Sequence, residues 1–440
     1  MSVSEFGVGR SQIGDQRFAT ANPSVGGSDV TVASSVISPP SSVLCPATLR
    51  VALLTGGGDR PYVLGLVEAL TSVGVTFDVI GSDELTLPDL LNNRLVNFIN
   101  LRGNQSPRAS LTKKATRVLK YYWRLILYAA KARCEIFHIL WNNKFEFLDR
   151  TLLMFFYKLI GKRVVLTAHN VNIRARDGTD SWLNRFSLKI QYQLSDHIFV
   201  HTDQMKEELV HEFAVTAAKV SVIPFGINNT VPNTDMTPRQ AKQMLGVADR
   251  DKTILFYGQI APYKGLACLV AAFAELLKGD ASYRLIIAGK PKWNQHYWNQ
   301  VAQAITENAV QHRVIERIEH VPDEQTELYF KAADILVLPY TSVFQSGVLF
   351  LGYSFGLPAI VADVGSLKEG IIEGKTGFVF RPQDTSALAS KIDQYFKSDL
   401  FRSLEARRAE IKAYANDQHS WDKVAAIIMA VYSRLLTSCH

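Results

Sequence analysis

The sequence predicts two doubly wound α/β domains, each a parallel sheet covered by helices on both faces, facing one another across a cleft. Three observations predict it. Short, fully apolar runs rich in β-branched residues alternate with amphipathic stretches from Leu49 onward, the pattern of strands buried on both faces. The alternation halts at a polar, proline-containing segment, Asn228 to Arg239, and restarts at Lys252. The chain has 440 residues, of which 47% are hydrophobic, too long for one core and too apolar for a disordered chain.

In the first half the strand candidates are Arg50–Thr55, Thr76–Ile80, Glu135–Leu140, Arg163–Ala168, His197–His201 and Val220–Ile223. The helix candidates between them are Tyr62–Val73, Leu111–Arg133, Phe147–Ile160, Trp182–Leu194 and Asp203–Phe213. In the second half the strands are Lys252–Tyr257, Arg284–Ala288, Arg313–Ile318, Ile335–Leu338 and Ala359–Ala362. A helix spans Leu266–Leu277, and a last helix runs from Trp421 to Leu436. The expected organisation is a tail at 1–47, an N-terminal domain at 48–227, a linker at 228–250, a C-terminal domain at 251–415 and a terminal helix in 416–440. Residues 335–362 contain no charge, long enough to span a bilayer. Pro339, Pro358 and three glycines break that stretch, so it reads as strand, loop, short helix and strand.

The formal charge is +7, distributed as −1 over 1–47, +7 over 48–230 and +1 over 231–440. The asymmetry points to a charged partner for the first half, a membrane surface or nucleic acid. Cys45, Cys134, Cys268 and Cys439 are scattered, with no CxxC pair and no zinc spacing, which suits a reducing cytosol and predicts no metal site. Glu5 and the lack of an apolar core argue against a secretory signal at the start.

Four places have the makings of a ligand site. The first strand ends in Thr55-Gly56-Gly57-Gly58-Asp59-Arg60 and leads into a helix, where glycines and free amides favour an anion; a flexible turn fits equally. It is not GxGxxG, which weighs against a nicotinamide-dependent oxidoreductase. His169 closes a buried strand, at the edge where doubly wound sheets bind ligands. In Gly258-Gln259-Ile260-Ala261-Pro262-Tyr263-Lys264-Gly265, Lys264 stands just ahead of a helix, where its charge adds to the positive end of the dipole and favours an anionic ligand. Gln345-Ser346-Gly347-Val348 follows a strand and opens a helix whose amides suit a phosphate.

Taken with TAHN at 167–170, SDHIFVHT at 195–202, VIPFGIN at 222–228, AADILVLPY at 332–340, QSGVL at 345–349, FGLPAIVADVG at 355–365 and GKTGFVFRPQD at 374–384, these pieces resemble the retaining GT-B glycosyltransferases of the group 1 (family 4) type over residues 48–436. The resemblance implies transfer of a sugar, with retention, from a nucleotide-sugar donor to a glycan or lipid-linked acceptor. Exopolysaccharide or cell-envelope glycan synthesis is the expected setting. It implies hexosyl transfer without a metal or other cofactor. Gly57 and Gly58 match the loop that approaches the donor, His169 the histidine at the transferred sugar, and Lys264 the lysine that neutralises the donor diphosphate. Gln345, Ser346 and Gly347 match the loop that holds sugar and phosphate; Gly258, Gln259, Lys290 and Val348 complete the expected donor set. His169 and Lys264 are the expected catalytic residues. Where the family commonly has an arginine near its lysine, this sequence has Gln259 and Ala261. Where the family has paired glutamates, residues 340–356 contain no acid. A non-catalytic GT-B scaffold that binds a glycan or a partner enzyme is therefore the alternative.

Between Asp89 and Glu135 there is no acidic residue. Lys113, Arg117, Lys120, Arg124 and Lys131 recur at helical spacing with Tyr121, Tyr122, Trp123 and Tyr128 interleaved. Such a helix suits an anionic membrane, each basic residue near the surface contributing about 1 kcal/mol. Nucleic acid fits the charge but not the sugar-transfer motifs. Lys113, Lys114, Arg117, Lys120, Trp123 and Arg124 are the expected membrane contacts, on a cytoplasmic protein bound to the inner face of the membrane.

Overall fold

The computed structural model describes residues 49–57, 60–105, 110–143, 145–227, 229, 231–292 and 295–437. The expected tail at 1–47 and Gly58 lie outside the described residues. The first sheet has seven parallel strands: β1 (Arg50–Leu54), β2 (Thr76–Gly81), β3 (Val96–Asn100), β4 (Ile136–Ile139), β5 (Arg163–Thr167), β6 (His197–Val200) and β7 (Val220–Val222), in the order β3-β2-β1-β4-β5-β6-β7. The second has six: β8 (Lys252–Tyr257), β9 (Tyr283–Ala288), β10 (Val314–Arg317), β11 (Ile335–Leu338), β12 (Ala359–Ala362) and β13 (Gly377–Phe380), in the order β10-β9-β8-β11-β12-β13. Both are open parallel sheets with order reversals beside their first strands, which places ligands at the carboxyl ends of those strands.

The central strands are buried throughout because helices cover both faces. On one face of the first sheet lie α1 (Arg60–Ser72) and, from the end of the chain, α9 (Trp421–Thr437). On the other lie α2 (Leu111–Lys131), α3 (Met154–Leu159) and α5 (Trp182–Leu194), while α4 (Ile173–Arg176) sits in the loop after β5. In the second domain α6 (Leu266–Gly279), α7 (Asp323–Ala332) and α8 (Gly347–Ser354) matter most for the site. The uncharged stretch 335–362 is β11, a loop, α8 and β12. Among the described residues no helix is long and apolar enough to cross a membrane.

The expected terminal helix closes on the first domain. Val424, Ile428, Val431 and Tyr432 are buried in the same core as Val51, Leu53 and Leu66. Two chain segments cross between the domains and bond to each other: Ile227 N–H donates to His419 O at 3.0 Å, and Trp421 Nε1–H donates to Ile227 O at 3.0 Å. The expected boundary at 415/416 falls inside the helix Leu404–Gln418, so the second crossing lies three to five residues later.

Two expectations about the first domain need correcting. Phe147–Ile160 is not one regular helix: Asp149–Leu153 forms a π-helical turn between Glu146–Leu148 and α3, with the buried Asp149 carboxylate accepting from Tyr122 at 2.9 Å. Tyr121 and Tyr122 also do not face outward on α2. They are 6% and 7% exposed and pack into the core, whereas Trp123 is 64% exposed. Residues one apart on a helix point about 100° apart, so an interleaved run cannot share one face.

Candidate functional site

The loop after β8 is folded as a single helical turn, Pro262–Lys264, followed by Gly265 in the left-handed region at φ +66°. A side chain at Gly265 would place its first carbon 1.8 Å from the Pro339 carbonyl, so only glycine lets this turn lie against the end of β11. The Thr341 N–H to Tyr263 O bond, 2.8 Å, fastens the two loops. The outcome is a Lys264 side chain directed inward. Its residue is 8% exposed, its Nζ donates to the Tyr340 hydroxyl at 2.5 Å, and it stands 4.2 Å from the Tyr340 ring centroid. Tyr340 in turn is 3.3 Å from Ser346 Oγ. Burial, opposed by Tyr263 and aided by the Arg176 charge, lowers the Lys264 ammonium to about 8.

Arg176 comes from the other domain. It ends α4, whose start is capped by the Asn172 side chain accepting from Ala175 N–H at 3.2 Å. Its guanidinium lies 4.3 Å from the Tyr263 ring centroid and pairs with Asp177 at 2.9 Å. Asp177 also takes Lys292 Nζ at 3.0 Å, an ion pair that joins the two domains. Lys292 is lowered by burial and by the Arg176 and Lys264 charges, against the Asp177 hydrogen bond. Two lysines lowered by burial and by the Arg176 charge beside them, with one carboxylate among the three cations, are electrostatics that favour an anion.

These groups open on a cleft of about 670 Å³ between the two domains. Gly258, Gln259, Lys264, Lys290, Gln345, Ser346, Gly347 and Val348 all line it, as do Arg176, Lys292, Tyr62 and Trp421. Gln345 Oε1 is buried there with no hydrogen-bond partner among the described residues. Asp323, at the start of α7, is the one carboxylate in the lining. The positions where the sequence lacks acids present Val343 and Leu351 to the same cleft.

His169 sits apart from that cleft. It lines a smaller cavity of about 200 Å³ in the first domain, and its neighbour Asn170 lines both. Its ring stacks on Trp141 at 4.2 Å and 6°, and Tyr62 meets it edge-on at 4.6 Å. The hydrogen-bond chain fixes the tautomer. His201 Nδ1 faces the Ile223 carbonyl at 3.4 Å, so that nitrogen carries the proton. His201 Nε2 is then an acceptor, and His169 Nδ1–H donates to it at 3.0 Å. His169 is held neutral, well below its ordinary range, by burial first and then by the His201 and His138 rings. Its Nε2 is a bare acceptor, buried without a partner. Gly57, at φ +79°, lies outside the cleft lining; its α-carbon faces Arg102, whose Nη1 would be 2.2 Å from an added Cβ.

The structure therefore brings eight of the expected donor-binding residues into one cleft and sets His169 in an adjoining one. Sequence reading missed Tyr340, Arg176, Asp177 and Lys292. Tyr340 stands within a quoted motif, but nothing local marked it as the partner of Lys264. Arg176 and Lys292 are 116 positions apart and meet only through the packing of two domains. Among the described residues no cluster of three or more His, Cys, Asp or Glu side chains is arranged to hold a metal ion.

The comparisons with known proteins follow the same division. Residues 56–230 match the model of Glycosyltransferase Family 4, and residues 239–418 match that of Glycosyl transferases group 1. A D-inositol 3-phosphate glycosyltransferase of Corynebacterium efficiens is 26% identical over 248 residues, 56% of this chain and 58% of that protein. The chain thus spans little more than half of that relative's length in the match. Sucrose-phosphate synthase from Thermosynechococcus elongatus superposes with a TM-score of 0.70 at 20% identity, over 89% of this chain and 100% of that one. Anabaena HepE in complex with UDP and glucose gives 0.67 at 16% identity, over 87% and 99%. With both domain models matched in order and two parallel-sheet domains facing across a cleft, the chain belongs to the group 1 and family 4 glycosyltransferases and has the GT-B fold.

Proposed function

We propose that this chain transfers a sugar, with retention, from a nucleotide-sugar donor to a glycan or lipid-linked acceptor, in exopolysaccharide or cell-envelope glycan synthesis. The single observation that carries the donor reading is the buried Lys264 ammonium, which has a neutral partner in Tyr340 and like charges in Arg176 and Lys292 nearby. A diphosphate supplies the missing negative charge, and a leaving diphosphate is stabilised by the same preorganised donors. HepE, whose structure holds UDP and glucose, supports a nucleoside diphosphate as the ligand. Asp323, in the cleft wall, is the acceptor available for nucleotide hydroxyls where the sequence has no glutamates.

His169 is assigned to the transferred sugar. Its bare Nε2 accepts a hydroxyl proton without competing for the diphosphate. The reaction is read as hexosyl transfer needing no metal or cofactor, with Lys264, Lys290 and the Ser346–Gly347 amides meeting the phosphate charge.

The membrane reading rests on α2 and its neighbours. Leu119, Trp123 and Leu127 are exposed at intervals of four on α2; Phe155 and Leu159 on α3, and Trp182 and Phe186 on α5, are exposed on the same layer. Exposed apolar rows beside the basic residues Lys113, Lys114, Arg117, Lys120 and Arg124 suit the surface of an anionic bilayer. These rows support reading the protein as a peripheral membrane protein, on the cytoplasmic face in our proposal.

A thermal-shift screen of nucleoside diphosphates and sugar nucleotides tests the donor reading. The matching ligand at a hundredfold excess over Kd adds about 2.7 kcal/mol of stability, and slow hydrolysis of the matching sugar nucleotide identifies an enzyme. Binding without any hydrolysis or transfer would favour the scaffold alternative. No stabilisation by any diphosphate would end the donor reading.

A further inference from the structure

A second cationic site lies in the first domain, outside the cleft. The loop after β3 and the first half of α2 enclose a cavity of about 500 Å³ lined by Arg102, Lys113, Arg117, Lys120 and Arg124. Elsewhere in this domain Arg50 pairs with Asp78, Arg150 with Glu146, and Lys158 with Asp196. None of these five forms an ion pair among the described residues. Arg102 Nη1 and Arg117 Nε are buried without hydrogen-bond partners. The Arg102 guanidinium is held 5.7 Å from the Tyr121 ring centroid, and Arg117 Nη1 donates to the Asn104 carbonyl at 2.5 Å. The Asp83 carboxylate, before β3, lies outside the lining and accepts from Asn100 at 2.6 Å. Five like charges gathered round one hollow repel each other, and two guanidiniums fixed there with unmet donors cost stability in the empty protein. An anion that accepts several hydrogen bonds at once removes both costs.

We infer that this groove is a phosphate-binding site separate from the donor cleft, and that the group it holds is a phosphate or diphosphate on the acceptor. The second clause rests on the glycosyl-transfer reading; the first does not. Location supports it. Arg102 lies against Gly57 after the carboxyl end of β1, and four and five residues on from Gly57 are Pro61 and Tyr62, which line the cleft. The chemistry recognised is a phosphate ester, carried by a membrane lipid or by a soluble acceptor.

The test is calorimetry on the full chain, with the cleft saturated by UDP and inorganic pyrophosphate as the probe. A second pyrophosphate site is expected. Arg102→Gln, and separately Lys113→Gln with Lys120→Gln, should weaken it at least about tenfold, the scale of a lost charge-assisted hydrogen bond. UDP affinity should be unchanged. The lysine pair is exposed, so that variant keeps the test valid if Arg102→Gln fails to fold. Lys131→Gln, on the same helix but outside the groove, should have no effect. Pyrophosphate binding that only competes with UDP, or a Lys131→Gln loss equal to the others, overturns the site. Absence of UDP binding with groove binding intact overturns the cleft reading alone. Displacement of the chain from phosphatidylglycerol vesicles by pyrophosphate assigns the phosphate to a membrane lipid; no displacement assigns it to a soluble ester. Either result presupposes the site.

Discussion

Lys264 donates to the hydroxyl of Tyr340 at 2.5 Å and lies 4.2 Å from the centroid of the same ring. The phenol orients the ammonium without neutralising it, since burial keeps the phenol well above its ordinary range and therefore protonated. A carboxylate in that place would compete with an incoming diphosphate. Lys264→Ala should reduce kcat/KM by on the order of 10²-fold, as for the loss of one electrostatic stabiliser. Tyr340→Phe keeps the ring and removes the hydrogen bond, so its loss should be smaller and in the same direction. Full turnover by Lys264→Ala removes the assignment.

The lowered Lys264 gives a pH signature. In the free protein it is charged below about 8. A bound diphosphate favours the charged form, so donor affinity should fall as pH rises through 8 toward the ordinary 10.5, and binding near pH 9 should take up a proton. Calorimetry in two buffers of different ionisation heat measures that uptake. Lys264→Arg should abolish it. For folding the sign is opposite: the depressed lysine costs stability below about 8, and the cost is relieved as pH rises through the window to 10.5. Affinity flat from pH 7 to 9.5 would exclude the mechanism.

His169→Ala should lower kcat while nucleoside diphosphate affinity stays nearly intact, because the ring borders the neighbouring cavity and not the phosphate wall. His169 is neutral at ordinary pH, so its removal should not shift either limb of the pH–rate profile between 6 and 8. Equal loss of kcat and of diphosphate affinity would mean a structural role through Trp141 and Tyr62.

The Lys292–Asp177 pair at 3.0 Å ties the domains together across the anion site. Asp177→Ala should lower the Tm of the free chain, since Arg176 and Lys292 then face each other without a carboxylate. It should also tighten nucleoside diphosphate binding several-fold, because the ligand no longer competes with Asp177. Differential scanning with and without UDP reads both effects, and weaker UDP binding by this variant would contradict the arrangement.

The full chain should float with vesicles containing anionic lipid and be released by high salt, given a screening length of ~10 Å at 0.1 M. Replacing Lys113, Lys114, Arg117 and Lys120 by Glu should abolish flotation and leave UDP affinity unchanged. Trp123→Ala should weaken flotation with less salt dependence, because its contribution is apolar. Equal flotation with neutral vesicles would show that charge is not the cause, and tight RNA binding without flotation would move the helix to nucleic acid.

Eleven of the thirteen strands are legible in the sequence, nine of them as apolar runs largely buried on both faces; the edge strands β7 and β10 are more exposed and are marked by their place in the alternation with helices. β3 escapes because it is an edge strand: in Val96-Asn97-Phe98-Ile99-Asn100 the residues are half-buried or exposed, and two asparagines interrupt the run. β13 begins on Gly377, and glycines around it hide a short strand. The donor wall is legible because each of its parts is a loop between a strand and a helix, with local punctuation by glycine and proline. The opposite wall is not. Arg176 is one of two arginines in Ile173-Arg174-Ala175-Arg176, and only domain packing selects it over Arg174, which turns outward to Glu146. The groove at Arg102 was visible as a run without acids, but its partition from a general basic face needed the cavity.

The return of α9 onto the first domain has a consequence for biosynthesis. The first domain, made before the second, lacks Val424, Ile428, Val431 and Tyr432 from its core until α9 is made. The second domain, drawn from one continuous stretch, can close while the first still exposes the groove that Trp421 fills over Gly65 and Gly226. The earlier-made of the two domains is thus completed after the later one, and the nascent chain must shield that unfinished apolar seam until α9 emerges.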